Sequence, residues 1–123
     1  MSKTTIWLLS IAVACGALFI WLTAPAAAPI APDGARDLAN GETVFHIAGC
    51  ASCHAAAEAK DDARLVLAGG KRFPTEFGVF VAPNISPDAT HGIGGWDEAA
   101  FLNAVLNGVS PEGEHYYPAF PYA

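Results

Sequence analysis

A helical domain behind one membrane-length helix is the fold class that this sequence predicts. Three observations predict it. Residues 6–24 (IWLLSIAVACGALFIWLTA) run for 19 positions without a charged side chain. Residues 37–50 and 96–108 each carry an apolar stripe at helical spacing, behind an Asp that can cap the first turn. The chain is 123 residues long, enough for one domain at most. Twelve Gly and nine Pro leave much of the rest as loop.

The N-terminal run comes first. Nineteen helical residues reach about 28 Å at ~1.5 Å per residue, just matching a hydrocarbon core of about 30 Å. Trp7 and Trp21 stand near its ends, where indole rings favour the membrane–water interface. Lys3 is the sole basic residue before Arg36, which keeps the N-terminus cytoplasmic and sends the remainder across. Two alternatives compete with a retained anchor. Residues 24–28 supply small side chains for cleavage of a signal peptide. Cys15, preceded by Ala12, Val13 and Ala14, could serve a lipoprotein signal, although the apolar run continues well past it. All three deliver the rest of the chain to the same non-cytoplasmic side. The expected organisation is an anchor or signal over 1–24, a Pro/Ala linker over 25–36 and a domain over 37–123. Prolines at 25, 29 and 32 exclude a helix in the linker and favour an extended, semi-rigid stalk.

In the domain, Asp37 can cap a helix whose stripe is Leu38, Val44, Phe45, Ile47 and Ala48, weakened by Gly41. It leads into Cys50-Ala51-Ser52-Cys53-His54. This C-x-x-C-H string is the attachment signature of c-type haem. The reason is spacing: positions i, i+3 and i+4 share one face of a helical turn. Cys50 and Cys53 can then form thioethers with two haem vinyl groups, and His54 falls under the iron as proximal ligand. Its other ring nitrogen should donate to a backbone carbonyl. Other readings are weaker. A redox dithiol usually follows a strand in a βαβ pattern, and none is evident. Zinc needs four ligands, and no second Cys or His pair follows. A disulfide between Cys50 and Cys53 would not call for His54. Three Cys in all are too few for a disulfide scaffold.

Residues 55–67 read as a solvated loop or short turn. Residues 68–84 read as loop with short extended pieces, where Gly69, Gly70 and Gly78 permit close backbone approach to a porphyrin. Phe73, Phe77, Phe80 and Val81 are candidates for a haem wall or for ordinary core packing. After a turn-rich loop over 88–95, residues 96–108 form the best helix of the domain. Asp97 caps it, Phe101, Leu102, Val105 and Leu106 form its face, and Gly108 stops it. Trp96 is either a propionate donor or a half-buried packing residue. Pro118 and Pro121 make the last segment a rigid aromatic loop.

Charge excludes one class of partner. Six basic against twelve acidic residues give a net charge of −6, with no basic cluster, so nucleic acid is not an expected ligand. No nucleophile–base or carboxylate pair stands out, so hydrolysis is not expected.

Five ordered segments also resemble a known family. They are NGETVF, CASCH, AGG-x₄-T-x-FG, PNISPDATHGIGGW and HYYPAFPY, spanning about residues 40–122. The chain resembles the membrane-anchored c-type cytochromes of Gram-negative bacteria. It is similar to the cytochrome c subunits of periplasmic alcohol and aldehyde dehydrogenases. The resemblance implies an all-α cytochrome c fold and one covalent haem c on Cys50, Cys53 and His54. It implies electron transfer in a respiratory chain rather than catalysis, from a periplasmic dehydrogenase towards a terminal oxidase, on the outer face of the inner membrane. In the dehydrogenase subunits an axial Met occupies the position of Phe120, yet the one Met here is Met1. A cytochrome c fold also ends in a helix crossing the first near Gly41 and Phe45. The expectation is therefore that the sequence stops short of the sixth ligand, the last helix and a second haem domain. If it is complete, His46, His91 and His115 are the remaining imidazoles, His115 being the best placed. The rival function is then a haem peroxidase or gas sensor with an open distal side.

Overall fold

The computed structural model describes residues 2–30 and 34–119. Helix α1 spans Lys3–Thr23, 21 residues, and none of them is buried. Ser2 accepts a hydrogen bond from the Thr5 amide as N-cap. Inside the run the two hydroxyls turn back on the backbone: Ser10 donates to the Ile6 carbonyl and Thr23 to the Phe19 carbonyl. Both hydroxyls are thus satisfied within the helix. The helix is long and apolar enough to cross a membrane, a property that a signal sequence shares.

The linker is not a free stalk. Its Ala28 presents both backbone groups to one side chain. The Ala28 amide donates to Asn103 Oδ1 at 2.8 Å, and Asn103 Nδ2 donates to the Ala28 carbonyl at 3.0 Å. The same side-chain amide donates to Ala99 O at 3.0 Å and accepts from Asn107 Nδ2 at 2.8 Å. Asn103 is buried, and these contacts use both ends of its amide, which removes the cost of burying it. Two further ties flank this one. His115 Nε2 donates to the Thr23 carbonyl at 3.1 Å, and Arg36 pairs with Glu98 at 3.1 Å on the surface.

Helix α2 spans Leu38–Ile47, and Asp37 caps it by accepting from the Asn40 amide. It does not run on into the cysteines. Gly49 takes a left-handed φ of 66°, and a separate short helix, α3, spans Cys50–His54. Residues expected as loop contain a 3₁₀ helix, Asp61–Val66. An antiparallel hairpin follows, β1 Arg72–Thr75 with β2 Gly78–Val81, in the register Phe73 opposite Phe80 and Thr75 opposite Gly78. The all-α expectation therefore holds only in part. A hairpin forms here because Thr75 Oγ1 closes its turn, donating to Gly78 O and accepting from the Phe77 amide. Pro74 is tolerated because a two-stranded sheet has only edges.

Helix α4 spans Glu98–Leu102, capped by Asp97, which accepts from the Ala100 amide at 2.7 Å. The single helix expected over 96–108 instead widens into a π-helical turn, Asn103–Asn107. The change begins at Asn103, whose side chain adds a second bond to the Ala99 carbonyl. Gly108, at φ 63°, ends the helix as expected. The chain then doubles back, bridging Val109 to His115. The most deeply buried apolar side chain among the described residues is here: Val109 is 2% exposed.

Candidate functional site

Helix α3 carries Cys50, Cys53 and His54 on one turn, and both cysteines are free thiols. The structure thus brings together the three residues that the motif singles out. Cys53 is exposed, while Cys50 and His54 are half-buried.

His54 is held at both ends. Its ring Nδ1 lies 2.9 Å from the Pro83 carbonyl. A carbonyl can only accept, so Nδ1 carries a proton, and in the neutral ring Nε2 keeps the lone pair. The His54 carbonyl in turn accepts from the Gly69 amide at 2.7 Å. Gly69 has φ 72°, and a Cβ there would sit 2.6 Å from the Pro83 carbonyl carbon and oxygen. Only glycine allows this backbone to pass so close to the Pro83 and Ala82 carbonyls, the first of which holds the His54 ring. The close approach expected of Gly69 is thus to the chain's own backbone. Nothing lies within 4 Å of a Cβ built at Gly70 or Gly78. Gly70 N donating to Ala82 O and Ala82 N to Lys71 O complete the lock.

The end of α3 is closed by cations. At Ala55 the backbone turns extended, which takes the Ser52 carbonyl out of the helical ladder. Lys71 Nζ donates to that carbonyl at 2.8 Å, and Arg64 reaches the Ala51 carbonyl at 3.5 Å.

Of the four wall candidates, Phe73 and Phe80 face each other across the hairpin on one side of the sheet. Phe80 stacks on Tyr117 with ring centres 4.2 Å apart, which joins the aromatic loop to the hairpin. Val81 pairs with Arg72 on the opposite side, and Phe77 stands in the turn, 81% exposed. Trp96 is half-buried next to the Asp97 cap. The other imidazoles are engaged elsewhere. His46 packs edge-on against Phe45, His91 Nδ1 lies 3.4 Å from Asp88, and His115 holds Thr23. His115, the best placed of the three on sequence grounds, therefore spends its Nε2 on the foot of α1. Phe120, and with it the comparison with an axial Met, lies outside the described residues.

The zinc alternative finds no geometry, since among the described residues no three His, Cys, Asp or Glu side chains gather as metal ligands. A c-type haem fits better on the chemistry of the donor set: two thiols and one imidazole on one turn, with the imidazole already oriented. The neighbouring elements also suit an apolar ligand. Val44 and Ile47 on α2 and Leu65 and Val66 on the 3₁₀ helix are all exposed. Among the described residues no large side chain is fully buried. A flat apolar group bonded to α3 would give such side chains the partner that the polypeptide does not.

Pro83, Gly69 and Lys71 are the site residues that sequence reasoning missed as partners of the motif. Gly69 and Pro83 do lie inside two of the resembling segments, AGG-x₄-T-x-FG and PNISPDATHGIGGW, which was the available signal.

No family model matches the chain. Relatives do. It is 49% identical, over 93% of its length, to a diheme cytochrome c-type protein of Cereibacter sphaeroides, of which it covers 39%. It is 35% identical, over 77% of its length, to the cytochrome c subunit of the gluconate 2-dehydrogenase of Pantoea cypripedii, covering 21% of that protein. It is 35% identical, over 68%, to the cytochrome c subunit of the quinone alcohol dehydrogenase of Gluconacetobacter polyoxogenes, covering 17%. The chain thus spans less than half the length of these curated relatives. The motif, the oriented imidazole and these matches agree, and the chain is a homologue of the bacterial c-type cytochromes, among them a diheme cytochrome c and a cytochrome c subunit of an alcohol dehydrogenase.

Proposed function

We propose that this chain is an electron-transfer domain carrying one covalent haem c. Cys50 and Cys53 would hold the group through two thioethers, each thiol S–H adding across one vinyl group with no oxidant consumed. His54 would ligate the iron through Nε2. The observation that carries the proposal is the Nδ1 bond of His54 to Pro83, which fixes tautomer and ring orientation on the turn that bears both thiols. Bound there, haem supplies a one-electron couple at its iron. The chain's part is to hold that group still. Gly69 and Pro83 lock His54, the hairpin face of Phe73 and Phe80 offers an apolar wall, and Lys71 closes the turn.

The likeness to cytochrome subunits of dehydrogenases supports a dehydrogenase as electron donor, and the acceptor proposed downstream is a terminal oxidase. Helix α1 supports a single-pass anchor in the inner membrane, with the domain on the periplasmic side. Twelve acids against five bases beyond that helix favour a basic patch on the partner and an on-rate that falls with salt.

The test is expression with a working haem-ligation apparatus. One haem of added mass that survives denaturation supports the proposal, and colourless protein refutes it. Carbon monoxide, added to the protein purified from its own cells, then separates the electron carrier from the rival open-sided haem protein. An unchanged Soret band on adding CO to the reduced protein supports the carrier; a fast shift supports the rival.

A further inference from the structure

We infer that Lys71, with Arg64 in a lesser role, is a tuning residue that raises the reduction potential of the haem on α3. The inference rests on the haem reading above and adds a regulator of that same site. Four of the five basic residues beyond α1 lie between positions 60 and 72, in a chain whose net charge is −6. Two of those four reach into the attachment motif itself. Lys71 Nζ donates to the carbonyl of Ser52, between the two cysteines, and Arg64 reaches the carbonyl of Ala51.

The electrostatics have a definite sign. The last turn of a helix presents carbonyl oxygens with partial negative charge. On α3 that end also holds His54, so these oxygens favour the oxidised, more positive iron. Lys71 answers the Ser52 carbonyl with a full positive charge, held at 2.8 Å and steadied over the Phe73 ring at 5.5 Å. A positive charge fixed beside the motif favours the reduced iron, and so raises the potential. Lys71 is solvent-exposed, so part of the effect is screened by water and salt.

The experiment is a redox titration of the haem-loaded chain and its K71M, K71R and R64M variants at low and high salt. K71M should lower the midpoint by the equivalent of a two- to fivefold fall in the reduction equilibrium, about 20–40 mV at ~59 mV per decade. R64M should lower it less, because its contact is longer. K71R should keep the original midpoint, and the K71M shift should shrink at high salt. A merely structural role for Lys71 would show no such salt dependence. An unchanged midpoint in K71M, or an equal fall in K71M and K71R, overturns the inference while the haem reading stands. A wild-type chain that carries no covalent haem removes both.

Discussion

Two regions of this molecule solve the burial problem in opposite ways. At the junction of linker and π-turn, Asn103 is 7% exposed, Ala104 4%, Val109 2% and Ser110 6%, and the polar groups among them are paired. This region closes with its own residues. Around α3 the backbone is also hydrogen-bonded, yet Ile47, Leu65 and Val66 are exposed. The difference separates what the polypeptide supplies from what a ligand must supply. Hydrogen bonds set the shape of the α3 half, and a bound apolar group would provide most of its hydrophobic stabilisation.

The largest expected effect tests that division directly. The double substitution Cys50→Ser with Cys53→Ser should abolish covalent haem. Amide exchange over residues 50–84 should then become about a hundredfold faster, equivalent to roughly 3 kcal/mol of local opening. Exchange over residues 103–116 should change little. Equal loss of protection in both regions, measured by mass spectrometry, would break the comparison. Next in size is Gly69→Ala. A Cβ at φ 72°, placed 2.6 Å from the Pro83 carbonyl and 2.7 Å from that of Ala82, must displace the carbonyl that holds His54. The haem-loaded variant should lose about 2–4 kcal/mol in denaturant unfolding.

A smaller effect belongs to the junction. Asn103→Leu keeps the number and branching of side-chain heavy atoms and removes the amide that holds Ala28. The expected cost is about 1–3 kcal/mol, because the linker can leave and be solvated. Protease sensitivity over residues 24–36 should rise while haem content stays unchanged. Loss of haem from this variant would mean that the two regions are coupled rather than independent.

What could be read from the sequence was short-ranged. The caps Asp37 and Asp97 act three residues away, and Cys50, Cys53 and His54 share one turn, so spacing alone located them. What could not be read was long-ranged and made by backbone. The partner of His54 is a carbonyl 29 residues on, that of Lys71 a carbonyl 19 residues back, and that of Asn103 a backbone 75 residues away. A carbonyl has no side-chain signature, and periodicity does not report it. The hairpin was hidden for a different reason: Pro74 interrupts its first strand, and its turn rests on one threonine hydroxyl. The break inside the 96–108 helix depends on where Asn103 sends its amide, which is tertiary information.

The smallest effect lies in the loop over residues 84–96, which connects the two regions. Asp88 accepts from the amides of Thr90 and His91, at 2.8 and 2.7 Å. The His91 and Thr90 backbone bonds hold its carboxyl below the ordinary value of 3.8. Its backbone carbonyl also accepts from Gly92 and Gly94, and a side chain at Gly94 would collide with the Pro87 carbonyl. A carboxyl whose pKa is lower in the folded state stabilises that state above its unfolded pKa, and the contribution fades as pH falls through the folded value. The loop should therefore loosen below pH 3.8, before any effect on the junction. Asp88→Asn should flatten the acid limb of the unfolding profile slightly and leave neutral-pH haem content intact. An acid limb unchanged by that substitution would place the pH response elsewhere in the chain.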